Sequence, residues 1–262
     1  MLRHAARSLD RQFFHRYLIP LDLIALAQTV FLAGAVFLAT LPPAGAQETT
    51  QTTSARQITR QGEPGKFDFY LLALSWSPSF CEAAHERNPN RTDPQCGPRP
   101  YSFVVHGLWP QYERGFPQNC QVPAPRLPRT VANSMLDLMP SPRLVFHEWD
   151  NHGTCSGLNF TQYFDTVRKA RGAVTVPAEY QSIAEPLKVK PSEVAAAFIR
   201  VNPGLKSDAL QVSCDGKRLV GVRICMNKDL SFHDCAEVSK RSCRAETVVM
   251  PPVRAPHAAN AN

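Results

Sequence analysis

The sequence predicts an α+β fold: a single disulfide-bonded domain with an antiparallel sheet and helices packed against it. Three observations carry that expectation. Strand-like apolar runs extend from Phe67 to Pro78, from Pro100 to Val105 and from Leu210 to Met226. Segments with helical periodicity fall mainly between the second and third of these runs. Eight cysteines, an even number, all lie beyond residue 80. No internal repeat and no second domain boundary interrupts the pattern.

In chain order, Arg3, Arg7, Arg11 and Arg16 form a basic segment, and an apolar run from Leu23 to Leu41 follows. Pro42-Pro43-Ala44-Gly45-Ala46 then supplies an Ala-x-Ala cleavage pattern before Gln47. Residues 1–46 are therefore expected to be a secretory signal peptide. The apolar run is long enough to cross a bilayer, so an uncleaved membrane anchor is the alternative. The whole chain carries a net charge of +7; without residues 1–46 it keeps 25 basic and 20 acidic residues, a net +5. That balance favours an anionic partner without naming one.

Residues 47–66, rich in Gln, Thr and Gly, are expected to be a flexible leader to a folded domain over 67–250, and the Pro- and Ala-rich residues 251–262 a disordered tail. Within the domain, the polar stretch from Cys81 to Cys96 reads as a loop. The strand from Pro100 to Val105 runs directly into His106-Gly107-Leu108-Trp109-Pro110. A Pro- and Gly-rich excursion to Pro128 contains Cys120. Thr130 to Met139 reads as a short helix, and a second runs from Pro142 to Gly153. Phe160, Tyr163, Phe164 and Val167 make one apolar face of a helix over 159–171. Pro191-Ser192-Glu193 opens another helix, which Asn202-Pro203-Gly204 closes. Asp215-Gly216 marks a hairpin between 210 and 226.

Cys81, Cys96, Cys120, Cys155, Cys214, Cys225, Cys235 and Cys243 fit four disulfides in an exported protein. None forms a Cys-x-x-Cys pair, so zinc and thioredoxin-like readings find no support there.

The chemistry concentrates between Arg143 and Gly157, where His147, Glu148, Asn151 and His152 occur within six residues. On one continuous helix these four span an arc of about 140°, with Trp149 and Asp150 pointing elsewhere. Two buried structural histidines would be the plain reading of the pair, but a carboxylate beside them favours a site. A zinc hydrolase is the other rival, since His-Glu begins the zincin motif. That motif needs histidines four apart; here they are five apart and diverge. His106 follows a buried strand and can open into a cleft. Two imidazoles on opposite sides of a phosphodiester suit acid–base transfer, one taking a proton from an attacking hydroxyl and the other protonating the leaving oxygen.

His106-Gly-Leu-Trp109-Pro together with His147-Glu148-Trp149-x-x-His152-Gly153-Thr154-Cys155 resembles the two active-site segments of the ribonuclease T2 family. The Leu-Ala-Leu-Ser-Trp-Ser-Pro strand and the positions of Cys120 and Cys155 are similar to that family as well. The resemblance spans about Phe67 to Met250. It implies a ribonuclease T2-like α+β fold and an exported, metal-independent endoribonuclease acting on single-stranded RNA through a 2′,3′-cyclic phosphate to 3′-phosphate ends.

By position, His152 would be the general base, His106 the general acid, His147 a phosphate ligand and Glu148 a stabiliser of the pentacovalent state. Trp109 would stack on a base and Gln111 would stand where some relatives carry a base-contacting acid. Broad base specificity, no cofactor, no metal, an RNA substrate, a monomer free of the membrane once the leader is removed, and a secreted or periplasmic location complete the expectation. The resemblance also implies a Cys120–Cys155 disulfide. Proximity in sequence suggests Cys81–Cys96, Cys214–Cys243 and Cys225–Cys235.

One position departs from the family. A Lys commonly precedes the second His, and here Asn151 stands there. An amide donates a hydrogen bond but brings no full charge. Either another basic residue reaches the phosphate, or catalysis is weakened and the chain is an RNA-binding or cytotoxic protein of the same fold.

Overall fold

Strand β1 (Phe69–Trp76) is apolar at every position but Ser75, and seven of its eight residues are buried, as expected of a strand covered on both faces. In this computed structural model, which describes residues 62–90 and 92–253, β1 is an interior strand of a four-stranded sheet of order β2-β1-β5-β4. Its neighbours are β2 (Phe103–Gln111) and β5 (Leu219–Met226), with β4 (Leu210–Cys214) at the far edge. All pairings in the sheet are antiparallel. The expected signal peptide and most of the expected leader and tail lie outside the described residues.

Alternation along β1 sorts its two faces. Tyr70, Leu72, Leu74 and Trp76 enter the main core with helices α3 (Pro142–Asn151), α4 (Phe160–Gly172) and α5 (Pro191–Val201). Phe69 and Leu71 join Cys225 and Cys235 in a smaller cluster on the opposite face, against which Trp109 packs. The chain is α+β, with the structure pairing Cys81–Cys96, Cys120–Cys155, Cys214–Cys243 and Cys225–Cys235.

Several elements differ from expectation for local reasons. Half of the stretch read as a loop after Cys81 is α1 (Ser77–Arg87), started by Pro78 in its first turn. The expected helix over 130–139 contracts to α2 (Arg129–Ser134). Beyond it the chain turns more tightly, Leu136 N donating to the Asn133 carbonyl at 3.3 Å and Leu138 N to the Met135 carbonyl at 3.0 Å, while the Leu138 carbonyl accepts from Val105 N at 2.9 Å. β3 (Leu187–Val189) and β6 (Val248–Met250) form a separate two-stranded ribbon, each strand too short to give a pattern. Gly65 N donates to the Cys155 carbonyl at 2.9 Å, so the last residues of the expected leader dock on the domain. At the other end, the Trp76 indole donates to the Pro251 carbonyl at 3.1 Å, tying the chain one residue past Met250.

The feature that positions the site is a bulge. Ala73 pairs with Gly107 and Leu74 with Val105, so His106 is an extra residue on β2. A bulge twists its strand and re-aims the extra side chain. His106 thus lies within β2 rather than at its end.

Candidate active site

His106 leaves the bulge beside β1, where its Nδ1 lies 3.3 Å from Ser75 Oγ. Its Nε2 lies 3.5 Å from Glu148 Oε1. Glu148 projects from the buried side of α3 with Val145 and Trp149 and is 1% exposed. Its other oxygen accepts the Trp109 indole N–H at 2.6 Å. Gly107 makes this approach possible: a Cβ there would overlap both Glu148 Oε2 and Trp109 Nε1.

Helix α3 begins with Pro142 in its first turn and ends at Asn151, so His152 is its cap residue, with φ −123° and ψ −44°. The expectation of four site residues on one helical arc is therefore corrected. Glu148 faces inward, His147 is exposed, and His152 has left the helix. Gly153 permits the break, because a Cβ there would come within 2.5 Å of Trp149 Cε3 and 2.9 Å of Tyr163 Cε1. The Cys120–Cys155 disulfide and the bond from Tyr163 Oη to the Leu108 carbonyl, at 2.9 Å, hold this corner against β2.

Trp109 stands between the two inner histidines, its ring centroid 5.7 Å from that of His106 and 5.3 Å from that of His152. His152 is buried, and among the described residues its Nδ1 has no hydrogen-bond partner. Burial lowers the His152 pKa to about 4, with further contributions from His147 and His106. His106 keeps 41% of its side-chain surface open to the cleft. The protein atoms around it nonetheless lower its pKa to about 4, and the charges of Arg223 and His147 add to the effect. Burial pushes Glu148 the other way, to about 8, against the opposing bond from Trp109. Both shifts favour the carboxyl group over the ring as the place for a proton shared by this pair.

Asn151 does not point alongside His147 into the cleft. Its Nδ2 donates to the His147 carbonyl at 2.9 Å and lies 3.1 Å from His147 Nδ1. An amide N–H can only donate, so Nδ1 of His147 is the acceptor in that contact.

Two cavities flank the histidines. One of about 250 Å³ is lined by Ser75, Phe80, His106, Leu144 and His147. The other, about 270 Å³, is lined by Trp109, Gln111, Phe116, His152, Arg223 and Arg241. Gln111 is buried, its amide donating to the Pro110 carbonyl at 2.9 Å. A larger cavity of about 520 Å³ lies between α1 and the Cys81–Cys96 loop and includes none of these three histidines. Among the described residues, no group of three or more His, Cys, Asp or Glu side chains is arranged to hold a metal ion.

Sequence reasoning missed Ser75 and Arg223. The second had a signal: a lone charge inside the apolar strand Leu-Val-Gly-Val-Arg-Ile-Cys-Met.

His106 lies against the buried Glu148 carboxyl group, and Trp109, which donates to that carboxyl group, also packs on His152. The chain belongs to the ribonuclease T2 family, whose profile matches residues 67–235. A ribonuclease of Aeromonas hydrophila is 44% identical over 117 residues, which is 44% of this chain and 51% of that protein. A probable ribonuclease of Haemophilus influenzae is 32% identical over 163 residues, 58% of this chain and 57% of that protein. The chain thus spans about half the length of these two relatives. RNase NT, solved in complex with 5′-AMP, matches with a TM-score of 0.51 at 26% identity, over 71% of this chain and 98% of that one.

Proposed function

We propose that the chain is an exported, monomeric endoribonuclease that cleaves single-stranded RNA by transfer to the 2′-hydroxyl. One observation carries the reading: His106 and His147 line one cavity, while His152 and Trp109 line another. A nucleoside in the Trp109 cavity brings its 2′-hydroxyl to His152. The leaving nucleoside, in the other cavity, brings its 5′-oxygen to His106.

His152, neutral above about pH 4, takes the 2′-hydroxyl proton as the 2′-oxygen bonds to phosphorus. The P–O5′ bond breaks, and the leaving oxygen takes a proton from His106. Glu148 carries that proton in the free enzyme and passes it to His106 as the phosphate anion arrives. In the second stage water enters in place of the leaving nucleoside. His106 removes its proton, the P–O2′ bond breaks, and His152 returns its proton to the 2′-oxygen. The product is a 3′-phosphate.

His147 Nε2–H donates to a phosphate oxygen. Trp109 and Phe116 give the base aromatic surface worth about 1–3 kcal/mol, which any base can use. The bound 5′-AMP in RNase NT is in keeping with nucleotide binding by this fold. DNA lacks the attacking hydroxyl and is not cleaved. Four disulfides favour an oxidising compartment, hence secretion or the periplasm.

The test incubates purified protein with RNA in excess EDTA and identifies the new termini. Cyclic and 3′-phosphate ends are expected. Intact RNA would leave an RNA-binding protein of this fold, and cleavage that EDTA abolishes would replace the two-histidine reading with a metal-dependent one.

A further inference from the structure

The reaction puts negative charge on the phosphate oxygens, yet Asn151 stands where the family commonly supplies a lysine. Arg223 approaches the same centre from another direction. It lies on β5 opposite Ala73 of β1, which lies opposite Gly107 of β2. These three residues form one row across the sheet, and the small side chain of Ala73 leaves the row open. The guanidinium carbon of Arg223 sits 5.3 Å from the centre of the Trp109 ring, the same ring that lies against His106 and His152. Its Nη1 donates to Gln211 Oε1 at 3.3 Å, which fixes its direction.

No carboxylate answers this charge among the described residues. Arg218, another arginine held close to the sheet, pairs with Asp215, Glu82 and Glu86. Arg223 and its neighbour Arg241 form no ion pair among the described residues, though both line the Trp109 cavity. Burial and the nearby Arg241 both lower the Arg223 pKa, so holding the cation here costs stability. A half-buried, unpaired guanidinium beside two acid–base histidines calls for an anion.

We infer that Arg223 is the cation that stabilises the scissile phosphate in the transition state, a charge delivered from the sheet in place of one from α3. The inference rests on the endoribonuclease reading and adds a catalytic residue to it. Charge developing on the phosphate is met by a fixed guanidinium whose orientation is set before the reaction.

The decisive substrate is a dinucleoside monophosphate, in which the scissile phosphate is the only anion. Wild-type cleavage of it to a cyclic phosphate in EDTA establishes the reaction; no cleavage would sink the endoribonuclease reading, and this inference with it. Given that activity, Arg223→Gln is expected to lower kcat about 10²-fold with KM changed less than about threefold. Arg223→Lys keeps the charge and should retain kcat within about tenfold. Adding Asn151→Lys to Arg223→Gln should recover about tenfold, while Asn151→Lys in the parent brings no gain.

Arg223→Gln at parental kcat on the dinucleoside, slowing only longer RNA, would move Arg223 to an upstream phosphate and overturn the inference. A loss shared equally by Arg223→Lys and unrepaired by Asn151→Lys would reduce Arg223 to packing on Trp109 and overturn it as well. Circular dichroism of each variant separates these results from unfolding.

Discussion

Replacing Glu148 by Gln tests where the catalytic proton is kept. Gln is isosteric, and its amide oxygen can still accept the Trp109 indole bond, so the buried packing is preserved. Glu148 is neutral below about pH 8, so its replacement by an amide leaves the field at His106 nearly unchanged. What disappears is the store of a proton. In the parent, kcat/KM should rise through about pH 4 as His152 loses its proton, stay level, and fall through about pH 8 as Glu148 loses the one it lends to His106.

In Glu148→Gln, His106 must keep that proton alone, with a pKa of about 4. The alkaline limb then moves down towards that value. The variant's deficit should therefore be about 10²-fold greater at pH 7 than at pH 5, the parent being level over that range while each pH unit above His106's pKa costs the variant tenfold. The measurement is kcat/KM for a dinucleoside monophosphate from about pH 3.5 to about pH 9, a range that brackets both limbs. An equal loss at pH 5 and pH 7 would refute proton storage and leave Glu148 a packing or charge-stabilising role.

Other expectations follow from the same geometry. His106→Ala and His152→Ala should each lower cleavage by about 10²–10⁴-fold, the range for a lost general acid or base; near-parental rates in a folded variant would remove that residue from the mechanism. Gly107→Ala should force Glu148 and Trp109 apart and lower kcat by roughly 10²-fold with the fold retained, and a crystal structure showing their 2.6 Å bond intact would contradict the crowding argument. Removing the Cys120–Cys155 bridge, whose ends are 35 residues apart, should cost about 3–4 kcal/mol by loop entropy; chemical denaturation of the double Ala variant checks it, and an unchanged midpoint would show the corner needs no cross-link.

Two sequence segments made much of this site legible because their chemistry is local. His106 and Trp109 lie three residues apart on one strand, and His147, Glu148 and His152 lie at one helix end. What the sequence could not reveal is whatever depends on how strands align. The bulge that swings His106 towards Glu148 is a register event between β1 and β2, and nothing in the residues flanking His106 announces it. Arg223 reaches Trp109 only because β5 sets it opposite Ala73. The helical wheel misled for a related reason: it assumes one continuous helix, whereas Gly153 and the packing of Trp149 and Tyr163 end α3 before His152. Asn151 was legible as a departure, but its bonds to His147 were not.

Arg223 and Glu148 act on His106 in opposite senses, and that opposition suits a general acid. The guanidinium disfavours the imidazolium, so a proton on the ring is easily given up to the leaving oxygen. A ring with this property is empty at neutral pH unless a negative charge beside it draws a proton over. Glu148, 3.5 Å away and kept protonated by burial, becomes that charge when its proton leaves. In the proposed reaction, a phosphate anion settling against Arg223 would cancel much of the guanidinium's field at His106 and let the proton cross to the ring. Binding and proton delivery are then coupled through one charge. A lysine at position 151 would add a second cation next to His147, on the helix that also carries Glu148, and would make the crossing harder. The amide found there fits a site whose positive charge comes from the sheet.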